Sequence, residues 1–170
     1  PNLEQYFRLN NVILEDLPES SWIITEKATH DIKQKVEQQG VKIIDWNLKI
    51  NRGILTGYND AFIISGDKKN ELIEKDPKSA DILKPILRGR DVKKYFYEYE
   101  DLWLINSHNG SKNENLSRID IDEFPAIKEY LDSHWENLEK RLDKGDTPYN
   151  LRNCAYISEF EKPKIIYPNM

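Results

Sequence analysis

Asp81 followed by Asp91-Val92-Lys93 is the arrangement in this sequence that comes nearest to catalysis. An acid followed by acid-x-Lys is how metal-dependent nucleases hold Mg²⁺ and place a base. In a chain with 32% charged residues such strings arise by chance, and Arg88-Gly89-Arg90 leads into Asp91 as a loop would, so chance outweighs catalysis. His30, His108 and His134 stand far apart without HExxH spacing, which leaves a metal site or a histidine-activated nucleophile without support. The single cysteine, Cys154, excludes an internal disulfide and a multi-thiolate zinc site. No GxxxxGK[ST] run occurs, and Arg52-Gly53-Ile54-Leu55-Thr56-Gly57 lacks the third glycine and following helix of a dinucleotide fingerprint.

Binding chemistry is better represented. Lys84, Arg88, Arg90, Lys93 and Lys94 stand against one acid, Asp91, within eleven residues. The whole chain has 25 Lys+Arg and 30 Asp+Glu for a net charge of −5. The acidic excess is concentrated between Asp120 and Asp146, so an acidic total does not forbid a basic face elsewhere, and nucleic acid stays open as a partner. Taken alone, the cluster reads more readily as a solvated face in which Asp91 pairs with Arg88 or Arg90. The turn-rich run Arg52–Phe62 would let backbone approach a phosphate or another chain closely. Tyr95, Tyr97 and Tyr99 recur at period two, a spacing that suits core packing more often than base stacking.

The elements that must position these residues follow from periodicity. At 170 residues one domain is expected, and apolar runs such as Ala61-Phe62-Ile63-Ile64 are far too short to span a membrane. The cysteine-poor composition fits a reducing cytosol, and the sequons at Asn109 and Asn115 read as ordinary loop residues. Ser21–Ile24 is β-type. Thr25 or Thr29 would cap a helix near 26–39 whose apolar face is Ala28, Ile32 and Val36 and whose stop is Gly40. Residues 41–64 read as strand, turn, strand, residues 67–84 as two short helices broken at Pro77, and residues 94–106 as a β-hairpin. Asn106–Asn115 is a polar surface loop. Ile127, Tyr130, Leu131, Trp135, Leu138 and Leu142 predict a long amphipathic helix over 125–144, with Trp135 in the core and Gly145 as the stop. Residues 164–168 read as a strand entering a turn. The fold class expected is α+β, with a mixed or mainly antiparallel sheet and flanking helices.

Several blocks, taken in order, resemble the TaqI-like C-terminal specificity domain, the target recognition domain of Type II (Type IIG) restriction-modification enzymes and adenine-specific DNA methyltransferases. They are Arg52-Gly53-Ile54 with Thr56–Ile64, Leu83-Lys84-Pro85 with Leu87–Val92, Tyr95, and Leu102-Trp103-Leu104-Ile105. Phe124–Ile127 with Tyr130-Leu131, Leu138–Arg141, Tyr149–Cys154 and Phe160–Pro168 complete the set. Each block alone is weak, and their order over Arg52 to Pro168 is what carries the resemblance.

The resemblance implies a division into a lead-in over 1–45 and, over 46–170, the first part of such a specificity domain, in a fragment of a longer bacterial cytoplasmic enzyme. In such enzymes the methyltransferase part binds S-adenosylmethionine and flips an adenine, while the recognition domain holds the duplex and reads it. Mg²⁺ would be needed if a nuclease domain is present. This chain has neither the methyl-donor glycine motif nor an Asn-Pro-Pro-Tyr run, so no catalysis is expected of it alone. The expected partners are double-stranded DNA and the methyltransferase domain of the same polypeptide. The expected contacts are Arg52, Thr56, Tyr58, Asn59, Lys84, Arg88, Arg90, Lys93 and Lys94 for phosphates or positioning, with Asn106, Asn109, Lys112 and Asn113 for the grooves. Asn can bond an adenine edge bidentately and Lys can reach guanine. The competing class is a protein-interaction module that docks on a neighbouring methyltransferase domain without touching DNA.

Overall fold

The computed structural model describes residues 2–11 and 25–168, and the β-type run at Ser21–Ile24 lies outside them. The chain forms two compact units, Pro1–Ile50 and Asn51–Met170.

The first unit is helical. Asn2 accepts a hydrogen bond from the Gln5 amide at 2.9 Å and opens α1, Leu3–Asn10. The second helix, α2, runs Lys27–Gln39, close to the span expected from its periodicity. Neither Thr25 nor Thr29 caps it; Glu26 stands at that position without a side-chain cap bond. Gly40 donates its amide to the Val36 carbonyl at the end, and a 3₁₀ turn follows at Ile43–Trp46. Ile32 and Val36 sit on one side of α2 as the pattern requires, yet both are exposed, and no described residue of this unit is buried.

The second unit holds the core. Where strand, turn, strand was expected, 41–64 contains the 3₁₀ turn, a four-residue helix α3, Asn59–Phe62, and a short strand β1, Ile63–Ser65. Ser65 then caps α4, Gly66–Lys75, by accepting from the Lys68 amide, and Asp76 caps the 3₁₀ helix Pro77–Ile82 in the same way, which makes two short helices broken at Pro77. Strand β2, Leu83–Pro85, follows.

Leu102–Ile105, β5, is the centre of an antiparallel sheet in the order β1-β5-β2, with Ile63 opposite Leu104 and Leu83 opposite Ile105. Its partners are therefore not the tyrosine run at 95–99. That run supplies β4, Phe96–Tyr97, which pairs with β3, Val92–Lys93, as a separate two-stranded ribbon. Leu104 and Ile105 are both buried, as neighbouring residues of a strand covered on both faces must be, and this decides which segment is central.

The helix expected over 125–144 is present as two consecutive pieces, α5, Pro125–Asp132, and α6, Trp135–Lys140. At the junction the Ser133 hydroxyl donates to the Tyr130 carbonyl at 2.5 Å, and His134 leaves helical geometry with its ring edge-on to Tyr130. Ile127, Leu131 and Leu138 are fully buried. In an unbroken helix Trp135 would follow Leu131 by one turn on the same face; the break sets it outward at 38% exposure against the ring of Tyr149, 5.3 Å away. Leu142 lies past the helix end and is 98% exposed. Residues 164–168 pair with no strand among the described residues.

Candidate nucleic-acid interface

The basic cluster leaves the sheet at Pro85 and turns at Arg88-Gly89-Arg90-Asp91. Asp91 is only 2% exposed. Its carboxylate accepts from the Arg88 amide at 2.8 Å and from the Arg88 guanidinium at 3.1 and 2.9 Å. Those charge-assisted bonds hold the Asp91 carboxyl below its ordinary range and raise Arg88 above its own. Arg88 also reaches Glu100, and the Glu98 amide donates to the Asp91 carbonyl at 2.8 Å. Arg88 is thus spent inside the turn, where it clamps the base of the β3–β4 ribbon. Of the two partners that chemistry allowed Asp91, Arg88 is the one bonded.

Beyond this clamp the side chains point outward. Arg90 is exposed. Lys93 stands 3.3 Å from Glu98, and Lys84, on β2, stands 3.8 Å from Glu161, both surface pairs that contribute little to stability and exchange readily for another anion. Lys94 and Tyr95 form the turn between β3 and β4, with the ammonium 5.3 Å from the ring centroid. Tyr95, Phe96 and Tyr97 are exposed, so this period-two aromatic run is not core packing.

The Arg52–Phe62 turn is different. The Arg52 amide donates to the Tyr156 hydroxyl at 3.2 Å, which leaves the Arg52 side chain exposed. Thr56 is buried and donates its hydroxyl to Asn59 Oδ1 at 2.5 Å. Tyr58 accepts from the Asn137 amide at 3.2 Å. At Gly57, φ is +69° and an added Cβ would lie 2.5 Å from the Asp143 carbonyl oxygen, so this glycine serves close packing within the chain.

The 106–115 loop also divides. Asn109 donates its amide to Asp146 at 3.0 Å and to Asn153, and its oxygen accepts from the Asp146 amide at 2.8 Å. Asn106 keeps a buried Oδ1 without a partner. Of the loop residues expected to meet DNA, Lys112 and Asn113 are exposed, while Asn106 and Asn109 are half-buried.

Behind the loop lies a group of residues that site reasoning from sequence passed over. Arg141, 6% exposed, donates to the backbone carbonyls of Thr56, Asp143, Pro148 and Asn150 and lies over the Phe62 ring at 4.4 Å. Burial pushes its pKa down to about 10 against a smaller opposing pull from the Asp143 charge. Asn150 donates to the Ser107 and Ile119 carbonyls, and Ser107 donates to the Tyr149 carbonyl at 2.6 Å. Arg141 and Asn150 sit in the blocks Leu138–Arg141 and Tyr149–Cys154, so the available signal was their place in the resemblance, and no charge pattern marked them as interior.

No family model matches the chain. It is 24% identical over 158 residues to a Type II methyltransferase, M.BstVI, of Geobacillus stearothermophilus, an alignment covering 88% of this chain and 26% of that protein. The chain therefore spans about a quarter of the length of the curated relative it matches. Among the described residues no helix is long and apolar enough to cross a membrane.

Proposed function

We propose that this chain is the DNA target-recognition segment of a Type II restriction-modification methyltransferase, with residues 46–170 as the first part of a TaqI-like specificity domain. The supporting observation is the similarity to a Type II methyltransferase over most of this chain but a quarter of that protein, in a sequence without the methyl-donor and Asn-Pro-Pro-Tyr motifs. A segment that shares so much with such an enzyme and carries no catalytic motif fits the part that holds and reads DNA. On this reading S-adenosylmethionine and the adenine belong to the methyltransferase part of the polypeptide, and Mg²⁺ to any nuclease part. The exposed cations Arg90, Lys93 and Lys94 meet phosphates, while Arg88 and Thr56 support the turns that present them. Lys112 and Asn113, exposed on their loop, make the groove contacts.

The second reading is a module that docks on the methyltransferase domain without touching DNA. The exposed apolar face of Ile32 and Val36 on α2 favours it for the first unit. Salt dependence separates the two readings. In the full-length polypeptide, Lys93→Ala with Lys94→Ala should lower the slope of log K against log salt by about 0.9 for each phosphate no longer neutralised, equally for all DNA sequences. An unchanged slope with normal stability would favour docking.

A further inference from the structure

We propose that the tip of the β3–β4 ribbon is a wedge for a DNA base step, with the Tyr95 ring inserted and Lys93 and Lys94 held against the flanking phosphates. This rests on the DNA-recognition reading and adds to it a specific act, deformation of the duplex by one side chain.

The argument starts from backbone geometry. Among the described residues four that are not glycine have positive φ: Asn47, Tyr95, Asp101 and Asn115. Asn and Asp tolerate the left-handed region because their short polar side chains bond locally. Asp101 does so here, accepting from the Trp103 indole at 2.8 Å. Tyr95, at φ +71°, is the bulky member of the set, in the second position of a two-residue turn where glycine or asparagine is the usual choice. A large residue in that conformation is usually kept there by what its side chain packs against. Tyr95 is 94% exposed, and its ring meets Lys94 alone among the contacts of this turn. Among the described residues the ring packs against Lys94 and nothing buried, so its use lies outside them.

The chemistry of the tip selects the partner. Residues 92–97 contain two cations, three exposed aromatic or phenolic rings and no acid. The acids Glu98 and Glu100 lie beyond β4, and Glu100 is already held by Arg88. A duplex offers phosphates to the lysines and stacked bases to the ring within one side chain's reach, and side chains inserted at a step kink it. An apolar protein partner would leave the Lys94 ammonium without an anion and offer the Lys93 ammonium nothing beyond its surface pair with Glu98.

The test uses the full-length polypeptide and a short duplex labelled at both ends for energy transfer. Tyr95→Gly relieves the left-handed strain, so the variant should melt at or above the wild-type temperature. It should nevertheless bind the duplex about tenfold more weakly, the loss expected for one stacked base, and fail to bend it. Tyr95→Phe should keep both affinity and bend. If Tyr95→Gly binds and bends DNA as wild type does, while the Lys93/Lys94 variant still lowers the salt slope, the wedge is overturned and DNA recognition stands. If the wild-type protein neither binds nor bends DNA, both fall.

Discussion

Arg141 and Arg88 use the same planar fork for opposite purposes. Arg141 is enclosed and donates to four backbone carbonyls from separate stretches of loop, whereas Arg88 lies nearer the surface and donates to the carboxylates of Asp91 and Glu100. A loop crossing that must be buried has carbonyls to satisfy and no room for a solvated acid, and a guanidinium with five donors satisfies several at once. Its charge is carried at a cost, visible in the lowered pKa. A ribbon that must project into solvent needs its base closed and its tip left without internal obligations. The Arg88–Asp91 clamp does this close to the turn and leaves Lys93, Lys94 and Tyr95 facing outward. The interior region therefore governs stability, and the ribbon keeps its tip side chains exposed.

That contrast can be broken by substitution, most severely at Arg141. Arg141→Ala strands several buried carbonyls and should cost on the order of 3–5 kcal/mol in urea unfolding. A loss within about 0.5 kcal/mol, the range of surface changes, would show that the loops close without it.

The two helices next to this region sharpen the point. Leu138→Ala removes a fully buried side chain and should cost about 2–5 kcal/mol, while Trp135→Ala, partly exposed against Tyr149, should cost about 1 kcal/mol. Equal losses in chemical denaturation would mean that α5 and α6 behave as one continuous helix.

The clamp predicts a pH dependence. The Asp91 carboxyl sits below its ordinary range in the folded chain, so its stabilising contribution is complete above the usual carboxylate pKa of about 4. It fades as pH falls through the lowered folded value. Asp91→Asn should therefore melt below wild type at neutral pH, and the gap should close in acid. A gap independent of pH would assign the effect to shape instead of charge.

The smallest effect on stability is expected at the tip. Lys93→Ala with Lys94→Ala should change unfolding by no more than about 0.5 kcal/mol, whereas on the proposed reading it should lower the salt dependence of DNA binding. A larger destabilisation would mean that the surface pair with Glu98 is part of the fold.

Local chemistry made several features legible in the sequence. Pro77 and the spacing around it marked two short helices, Gly40 closed α2, Pro125 opened α5, and the proximity of Asp91 to Arg88 and Arg90 announced an ion pair. Each depends on residues within one or two turns of each other, where propensity, capping and short-range electrostatics dominate. What only the tertiary structure decided was which segment Leu102–Ile105 would pair with, where the 125–144 pattern would break, and which cation would be buried. Those outcomes join positions such as Ile63 with Leu104, or Thr56 with Arg141, that are dozens of residues apart. A charge pattern looks the same whether a guanidinium will meet water, a carboxylate or four carbonyls. The choice is made by competition for burial among distant segments, and the sequence carries it only through the packing of the whole core.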